Sequence, residues 1–494
     1  MPGNELHRFG SGGSAGSHRE KNMPHPNAFN LARRGAPALV ALLATTAGAA
    51  HAQERTQADR AALVARLDSL ASAPVREGRA AGISVAVVHG RDTLLLKGYG
   101  KANVELDVPM PSNAVHEIAS VTKQFTAAAI LQLRDDGLLS LDDDLTKYFP
   151  GFPTHGRAIP LRRLLDHTSG IMSLTELPGF GSLQHRGWPR DSAVALIART
   201  PVHFPVGEAM SYNNSAYFLL GGIIEKVSGM PYERYVQEKI FAPLGMGASS
   251  YCDNQATIPS RASGYQLQGT TLRRAMLTDH TWPFSAGSLC STAGDLVAWL
   301  HALHGGRVLS QRSYQEMTSP SRLKDGTPLR YGMGVDVRSE ASGAMVIGHG
   351  GGLPGFLTHA SWYPDAELAV VVLINTLGPV SATALASELA RQVIPSAPHV
   401  PRFYTADATD LVGRYAGPAR GGEMVVEVSR NDEGTLVRSI NGAPAQPLPW
   451  MDGWHFGGPG TLLLTFERTG ATGPATLLRF DVGPGHYLLR RTPQ

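Results

Sequence analysis

Ser120-Val121-Thr122-Lys123-Gln124-Phe125-Thr126-Ala127-Ala128-Ala129-Ile130-Leu131-Gln132-Leu133 opens on a serine and a lysine three positions apart. Val121, Phe125, Ala128, Ala129 and Leu133 recur at helical spacing, and Gly137 supplies a stop. On a helix, residues three apart share a face about one turn from each other. The lysine amine then reaches the serine hydroxyl. Serine needs an adjacent base to act as a nucleophile, and a desolvated lysine with a lowered pKa is one. The alternative is a serine N-cap followed by an ordinary first-turn lysine. A second match, Ser321-Arg322-Leu323-Lys324, runs into Asp325-Gly326 and Pro328, a turn with no helix behind it, and reads as a surface accident.

Around this stretch the sequence predicts strands near both ends of one domain. Ile83 to His89, a turn at Gly90-Arg91-Asp92 and a return over Thr93 to Gly98 read as a hairpin. Helical and loop-rich sequence follows from Val115 to Leu309. Two later strands are expected at Ala344–His349 and Leu368–Asn375, the second buried on both faces. A closing helix is expected at Ser381–Val393. The pattern gives an α/β (α+β) architecture: an antiparallel sheet flanked by helices, with an all-helical and loop subdomain. Residues 395–403 read as a proline-rich linker. Residues 404–494 switch to short strands at Met424–Val428, Leu436–Ile440, Leu462–Arg468, Ala475–Val482 and Tyr487–Arg491, a small antiparallel barrel-like domain. Trp450, Trp454 and Phe456 read there as core packing.

Residues 1–52 read as an N-terminal extension and signal peptide. Arg33-Arg34 precede an apolar stretch, Ala36 to Ala49, and Ala50-His51-Ala52 forms a cleavage site. Translation is expected to start at Met23. The apolar run is too short and alanine-rich to span a membrane, so the expectation is periplasmic or secreted protein with no integral membrane segment after cleavage. Residues 1–52 carry the whole formal excess of +3, which leaves 53–394 and the C-terminal part together neutral. A nucleic-acid partner needs a basic footprint and is excluded. Cys252 and Cys290 are the two cysteines; export permits a disulfide, but spacing does not show whether the sulfurs meet.

Two further motifs complete a constellation. Tyr212-Asn213-Asn214 precedes an apolar helix, Ala216 to Val227, and His349-Gly350-Gly351-Gly352 ends a strand. Alone, the first is a tyrosine in a turn and the second a glycine turn after a strand. With Ser120 and Lys123, the order resembles the serine β-lactamase and penicillin-binding protein superfamily, with the greatest likeness to the class C β-lactamase-related group. That group contains D-alanyl-D-alanine carboxypeptidases, D-aminopeptidases and esterases. Gly98-Tyr99-Gly100, Leu164-Leu165-Asp166-His167-Thr168-Ser169-Gly170-Ile171 and Ser288-Leu289-Cys290-Ser291-Thr292-Ala293 extend the likeness over Arg79 to Pro395.

The resemblance implies that Ser120 attacks an acyl carbon while Lys123 and Tyr212 share proton transfer. It implies that Asn214 positions Lys123 or holds a substrate amide. Gly351 would let the strand approach substrate without a side chain. The N–H groups of Ser120 and Gly352 would form an oxyanion hole. His167 belongs to a loop beneath the site. No cofactor or metal is implied. His301 and His304 lie on a predicted helix without a metal-binding pattern. Gly12-Gly13-Ser14-Ala15-Gly16 imitates a nucleophile elbow without its strand–turn–helix setting.

One departure matters. His349 stands where the third motif usually has lysine. Histidine is mostly neutral at pH 7.5 unless perturbed, so fixed-charge recognition of a carboxylate is lost. The expected function is an exported serine hydrolase acting on small-molecule or peptide-like acyl substrates, peptidoglycan fragments among them, in an esterase- or D-peptidase-like manner. The alternatives are a class C β-lactamase or D-alanyl-D-alanine carboxypeptidase, and a module that binds penicillin or peptidoglycan without turnover.

Overall fold

A computed structural model describes residues 37–340, 343–394, 400–458, 462–468, 470, 473–483 and 485–492, with side chains from residue 57 onward. The expected start at Met23, the basic pair Arg33-Arg34, the Gly12–Gly16 motif and residues 395–399 of the expected linker lie outside it. A helix runs from Pro37 to Arg76. Met1–Arg60 forms one unit and Ala61–Gln494 another. The expected hydrolase and C-terminal domains therefore belong to a single compact unit. No helix among the described residues is long and apolar enough to cross a membrane.

The central sheet has seven strands, in the order Asp336–Ser339, Met345–Leu353, Phe356–Tyr363, Leu368–Ile374, Gly82–His89, Asp92–Asn103, Val108–Pro109. Neighbours are antiparallel, with Ile83 opposite Ile374 and His89 opposite Leu368. The apolar run Leu368–Ile374 follows from this central place. Ala369, Val371 and Leu373 face one core, shared with Phe125 and Trp299. Leu368, Val370, Val372 and Ile374 face another, shared with Leu67, Ala386 and Leu389. Both faces are covered by helices, so alternation disappears. Each buried Val, Leu or Ile there contributes about 1.5–3 kcal/mol relative to exposure.

The strand Phe356–Tyr363 was not expected from the sequence. Thr358, His359 and Ser361 interrupt its apolar pattern, yet all three are buried. Each has a partner: Thr358 Oγ1 donates to Ile118 O, His359 Nδ1 meets Thr383 Oγ1, and Ser361 Oγ donates to Val370 O. Paired polar groups are admitted to a core at little net cost.

Residues beyond 400 form a curled antiparallel sheet. Its strands run in the order Gln446–Pro447, Leu436–Ile440, Gly422–Arg430, Gly413–Ala419, Gly485–Thr492, Leu477–Val482, Leu462–Glu467, His455–Gly457, Trp450–Asp452. Tyr415, Phe456, Phe466 and Phe480 fill it, with Trp450 and Trp454 packed against that core. The strand Gly413–Ala419 is an addition to the expected set. The sheet also captures a piece of the hydrolase region: Met210–Ser211 pairs with His486 and Gly485. The strand leading into Tyr212 is thus an edge of the C-terminal sheet.

Candidate active site

Ser120 sits in a short 3-10 turn, Ala119–Val121, that runs directly into the helix Thr122–Asp135. Ala119 has φ 48°, a left-handed conformation that persists only where the surroundings over-determine it. They do so here. Ile118 N–H donates to Leu289 O at 2.9 Å, Leu289 N–H donates to Thr122 Oγ1 at 3.2 Å, and Thr358 Oγ1 holds Ile118 O at 2.9 Å. Cys290, next to Leu289, is bonded to Cys252, which settles the pairing that sequence left open.

Gly351 abuts the same turn. A Cβ on Gly351 would lie 2.5 Å from Ile118 O and 3.0 Å from Ala119 Cβ. Its missing side chain makes room for the nucleophile's turn, and Gly351 also lines the cleft beside Ser120.

Lys123 is fully buried. Its Nζ lies 2.8 Å from Asn214 Oδ1, 2.8 Å from Ala286 O and 3.2 Å from Ser120 Oγ. Burial holds its pKa well below the ordinary lysine value, and the Arg420 guanidinium pushes the same way. A neutral amine has two N–H bonds and one lone pair. Asn214 Oδ1 and Ala286 O can only accept, so they take both N–H groups. Ser120 Oγ is the third group within hydrogen-bond reach of Nζ.

Tyr212 comes from the segment after Met210–Ser211, and its ring centroid is 4.7 Å from Lys123 Nζ. Burial raises its pKa above the ordinary phenol value; the nearby Ser120 hydroxyl opposes this, second in size. No hydrogen bond of good geometry closes on the Tyr212 hydroxyl. Tyr212 is a protonated phenol with an unused O–H. Asn213 caps the helix Asn214–Ser228, its Oδ1 accepting from Ala216 N–H at 2.9 Å. That cap places Asn214 at the first helical position, facing Lys123.

His349 is buried, and burial pushes its pKa down to about 3. Nδ1–H donates to Gly350 O, and the Tyr331 hydroxyl donates to Nε2 at 3.0 Å. This network fits the neutral ring. His167 has φ 63° and accepts from Asn213 N–H at 3.1 Å through Nδ1. Its ring lies 4.5 Å from the Tyr212 ring, so it supports the Tyr212 segment from beneath. His301 and His304 pack on Trp362, 5.2 and 5.1 Å between centroids.

Ser120, Tyr212, His349, Gly351 and Gly352 line one cleft of about 400 Å³. Lys123 and Asn214 stand behind its wall. Three charged lining residues were not found from sequence: Asp336, Arg338 and Arg420. Asp336 is half-buried, and desolvation raises its pKa to about 6 against the pull of Arg338, 3.6 Å away. Arg420 belongs to the hairpin turn between Gly413–Ala419 and Gly422–Arg430. The Arg420-Gly421-Gly422 turn was its one sequence signal, with Gly421 at φ 82°.

Residues 67–394 match the family described as Beta-lactamase. The chain belongs to that family. It is 29% identical over 315 residues to Penicillin-binding protein 4* of Bacillus subtilis, covering 59% of this chain and 67% of that one. It is 28% identical over 355 residues to a D-aminopeptidase of Gluconobacter oxydans, covering 71% and 66%. The chain thus spans about two thirds of each relative's length. Among solved structures, SurE superposes with TM-score 0.61 at 26% identity, over 88% of this chain and all of that one. That share exceeds what residues 1–394 could supply, so the match reaches the C-terminal sheet. A D-stereospecific amidohydrolase from Streptomyces superposes with TM-score 0.58 at 27% identity, over 67% and 99%.

Proposed function

We propose that this chain is an exported serine hydrolase that cleaves ester or amide acyl bonds through an acyl-enzyme on Ser120. The observation that carries the reading is the coordination of Lys123: Asn214 Oδ1 and Ala286 O each lie 2.8 Å from its Nζ and accept two N–H groups, which leaves the lone pair of a neutral amine for Ser120 Oγ at 3.2 Å. Lys123 takes the hydroxyl proton as Ser120 Oγ bonds to the acyl carbon. The N–H groups of Ser120 and Gly352 hold the carbonyl oxygen as it gains charge. The Tyr212 phenol gives its proton to the departing oxygen or nitrogen and regains one from Lys123. Water then attacks the acyl-enzyme, its proton passing to the same pair, and Ser120 leaves reprotonated.

The protonated phenol of Tyr212 and the neutral amine of Lys123 divide the labour, with Lys123 as base and Tyr212 as acid. A neutral, buried His349 offers no fixed charge to a β-lactam carboxylate. The reading is therefore esterase- or D-peptidase-like, with weak penicillinase activity. It is tested by rates on a short-chain p-nitrophenyl ester and on nitrocefin, with Ser120→Ala as blank. Ester turnover that vanishes in Ser120→Ala, with nitrocefin far slower, supports it. Nitrocefin turnover as fast as the ester would overturn the preference, and ester turnover surviving in Ser120→Ala would overturn the mechanism.

A further inference from the structure

The orientation of Asn214 decides what Lys123 can do, because an amide has two different ends. With Oδ1 toward Nζ, it accepts an N–H of the amine. With Nδ2 in that place it would donate, and the lone pair of a neutral Lys123 would be occupied by the amide instead of by Ser120. The Asn213 cap fixes where the backbone of Asn214 sits, not which way its amide is turned. The far end of the amide supplies the missing constraint. Asn214 Nδ2 donates to Thr175 Oγ1 at 3.4 Å.

Thr175 lies in a short turn, Leu174–Glu176, clamped between two elements. On one side, Asn214 N–H donates to Ser173 Oγ at 3.2 Å and Leu174 N–H donates to Ser215 Oγ at 2.8 Å. These bonds tie it to the start of the helix Asn214–Ser228. On the other side stands the hairpin turn of the C-terminal sheet. Gly421 N–H donates to Glu176 Oε2 at 2.9 Å, Arg420 Nε lies 3.9 Å from Glu176 Oε1, and Arg420 Nη2 donates to Thr175 Oγ1 at 3.3 Å. Thr175 Oγ1 thus accepts from Asn214 and from Arg420, which fills both lone pairs of a hydroxyl. Its own proton goes to Ser173 Oγ, 2.9 Å away. No proton is left to offer Asn214, so only the NH₂ end of the amide fits against Thr175, and Oδ1 is turned to Lys123.

We propose that Thr175 is a positioning residue for the acyl transfer: its hydroxyl, held by Arg420 from the C-terminal sheet, fixes the Asn214 amide so that Lys123 keeps its lone pair for Ser120. This inference rests on the acyl-enzyme reading and deepens it. Thr175 and Arg420 exchange no proton with substrate. They act through a chain of contacts that runs from Arg420 to Thr175, Asn214, Lys123 and Ser120. Within it the guanidinium charge is answered by Glu176, and one N–H of its fork is used on Thr175. The C-terminal sheet thereby takes part in setting up the base, about three hundred positions along the chain from the nucleophile.

The test is a double-mutant cycle on the full chain, read as kcat/KM on p-nitrophenyl acetate. Thr175→Val keeps the shape of the side chain and removes the hydroxyl. It should lower kcat/KM by about 30-fold. Thr175→Ser returns the hydroxyl and should stay within about threefold of the wild type. Arg420→Gln alone should lower kcat/KM by about tenfold, but by less than about twofold in the Thr175→Val background, because its route to Lys123 is already cut there. Thr175→Val near the wild-type rate, Thr175→Ser no better than Thr175→Val, or an equal loss from Arg420→Gln in both backgrounds would each overturn the inference. The last outcome would mean that Arg420 acts on Lys123 or Tyr212 without Thr175. A wild type with no turnover that depends on Ser120 would instead sink the acyl-enzyme reading and this inference with it.

Discussion

Ser120–Lys123 and Ser321–Lys324 are the same pattern in two settings. At the first, the lysine is wholly inside the protein and its nitrogen has three partners, one of them the serine. At the second, the lysine is exposed on a turn. Ser321 Oγ donates to Gly332 O at 3.3 Å, and the Lys324 methylenes lie over Gly207, where an added Cβ would come 2.9 Å from Cγ. Spacing is shared; the helix and the burial are not. A serine and a lysine three apart become a nucleophile and a base only where the fold removes water from the amine and supplies acceptors for its spare protons.

The largest expected effect breaks the pair apart outright. Ser120→Ala should lower kcat on a p-nitrophenyl ester by about 10⁴-fold or more, while Ser321→Ala should stay within about twofold and change stability by less than about 0.5 kcal/mol. Comparable losses in both variants would remove the distinction. Lys123→Arg comes next. A guanidinium stays protonated and has no lone pair to offer, so kcat should fall by about 10²–10⁴-fold. Ester turnover near the wild-type level would exclude Lys123 as the base.

Tyr212→Phe isolates the acid. It keeps the ring against Lys123 and His167 and deletes a hydroxyl with no protein partner of good geometry. The loss should be about 10²-fold on substrates with poor leaving groups. It should shrink on p-nitrophenyl esters, whose leaving group departs without a proton. An equal loss on both would mean that Tyr212 acts before the leaving step.

The same contrast explains what the sequence could reveal. Ser120 and Lys123 were legible because one short stretch, a 3-10 turn running into a helix, carries both. Leu368–Ile374 was legible because burial on both faces leaves an unbroken apolar run. Tyr212 and Asn214 were legible only through order along the chain and likeness to a family. Phe356–Tyr363 was hidden by Thr358, His359 and Ser361, whose partners lie on distant segments. Arg420 was hidden more deeply. Nothing local distinguishes a hairpin-turn arginine that meets solvent from one that meets Tyr212; the difference is made by the docking of one sheet on another. Arg338 and Asp336 were missed for a related reason: their strand, Asp336–Ser339, is a short sheet edge with no apolar pattern.

The smallest expected effect measures the burial of Lys123 without measuring catalysis. Its folded pKa is depressed, while an unfolded chain returns it to about 10.4. Between those values the unfolded state holds one more proton than the folded state, so stability rises with pH. The slope is about 1.4 kcal/mol per pH unit from this group alone, and it ends at the unfolded pKa. Lys123→Met removes the titrating group. Denaturant unfolding of the wild type and Lys123→Met at pH 7, 8 and 9 should show the two stabilities diverging by about that amount per unit, in favour of the wild type as pH rises. The absolute offset at any one pH is uninformative, because the methionine also strands Asn214 Oδ1 and Ala286 O, whereas those lost bonds do not titrate. Parallel curves would mean that Lys123 carries its proton in the folded protein. The lone pair facing Ser120 would then not exist, and the two serine–lysine pairs would differ in burial but not in chemistry.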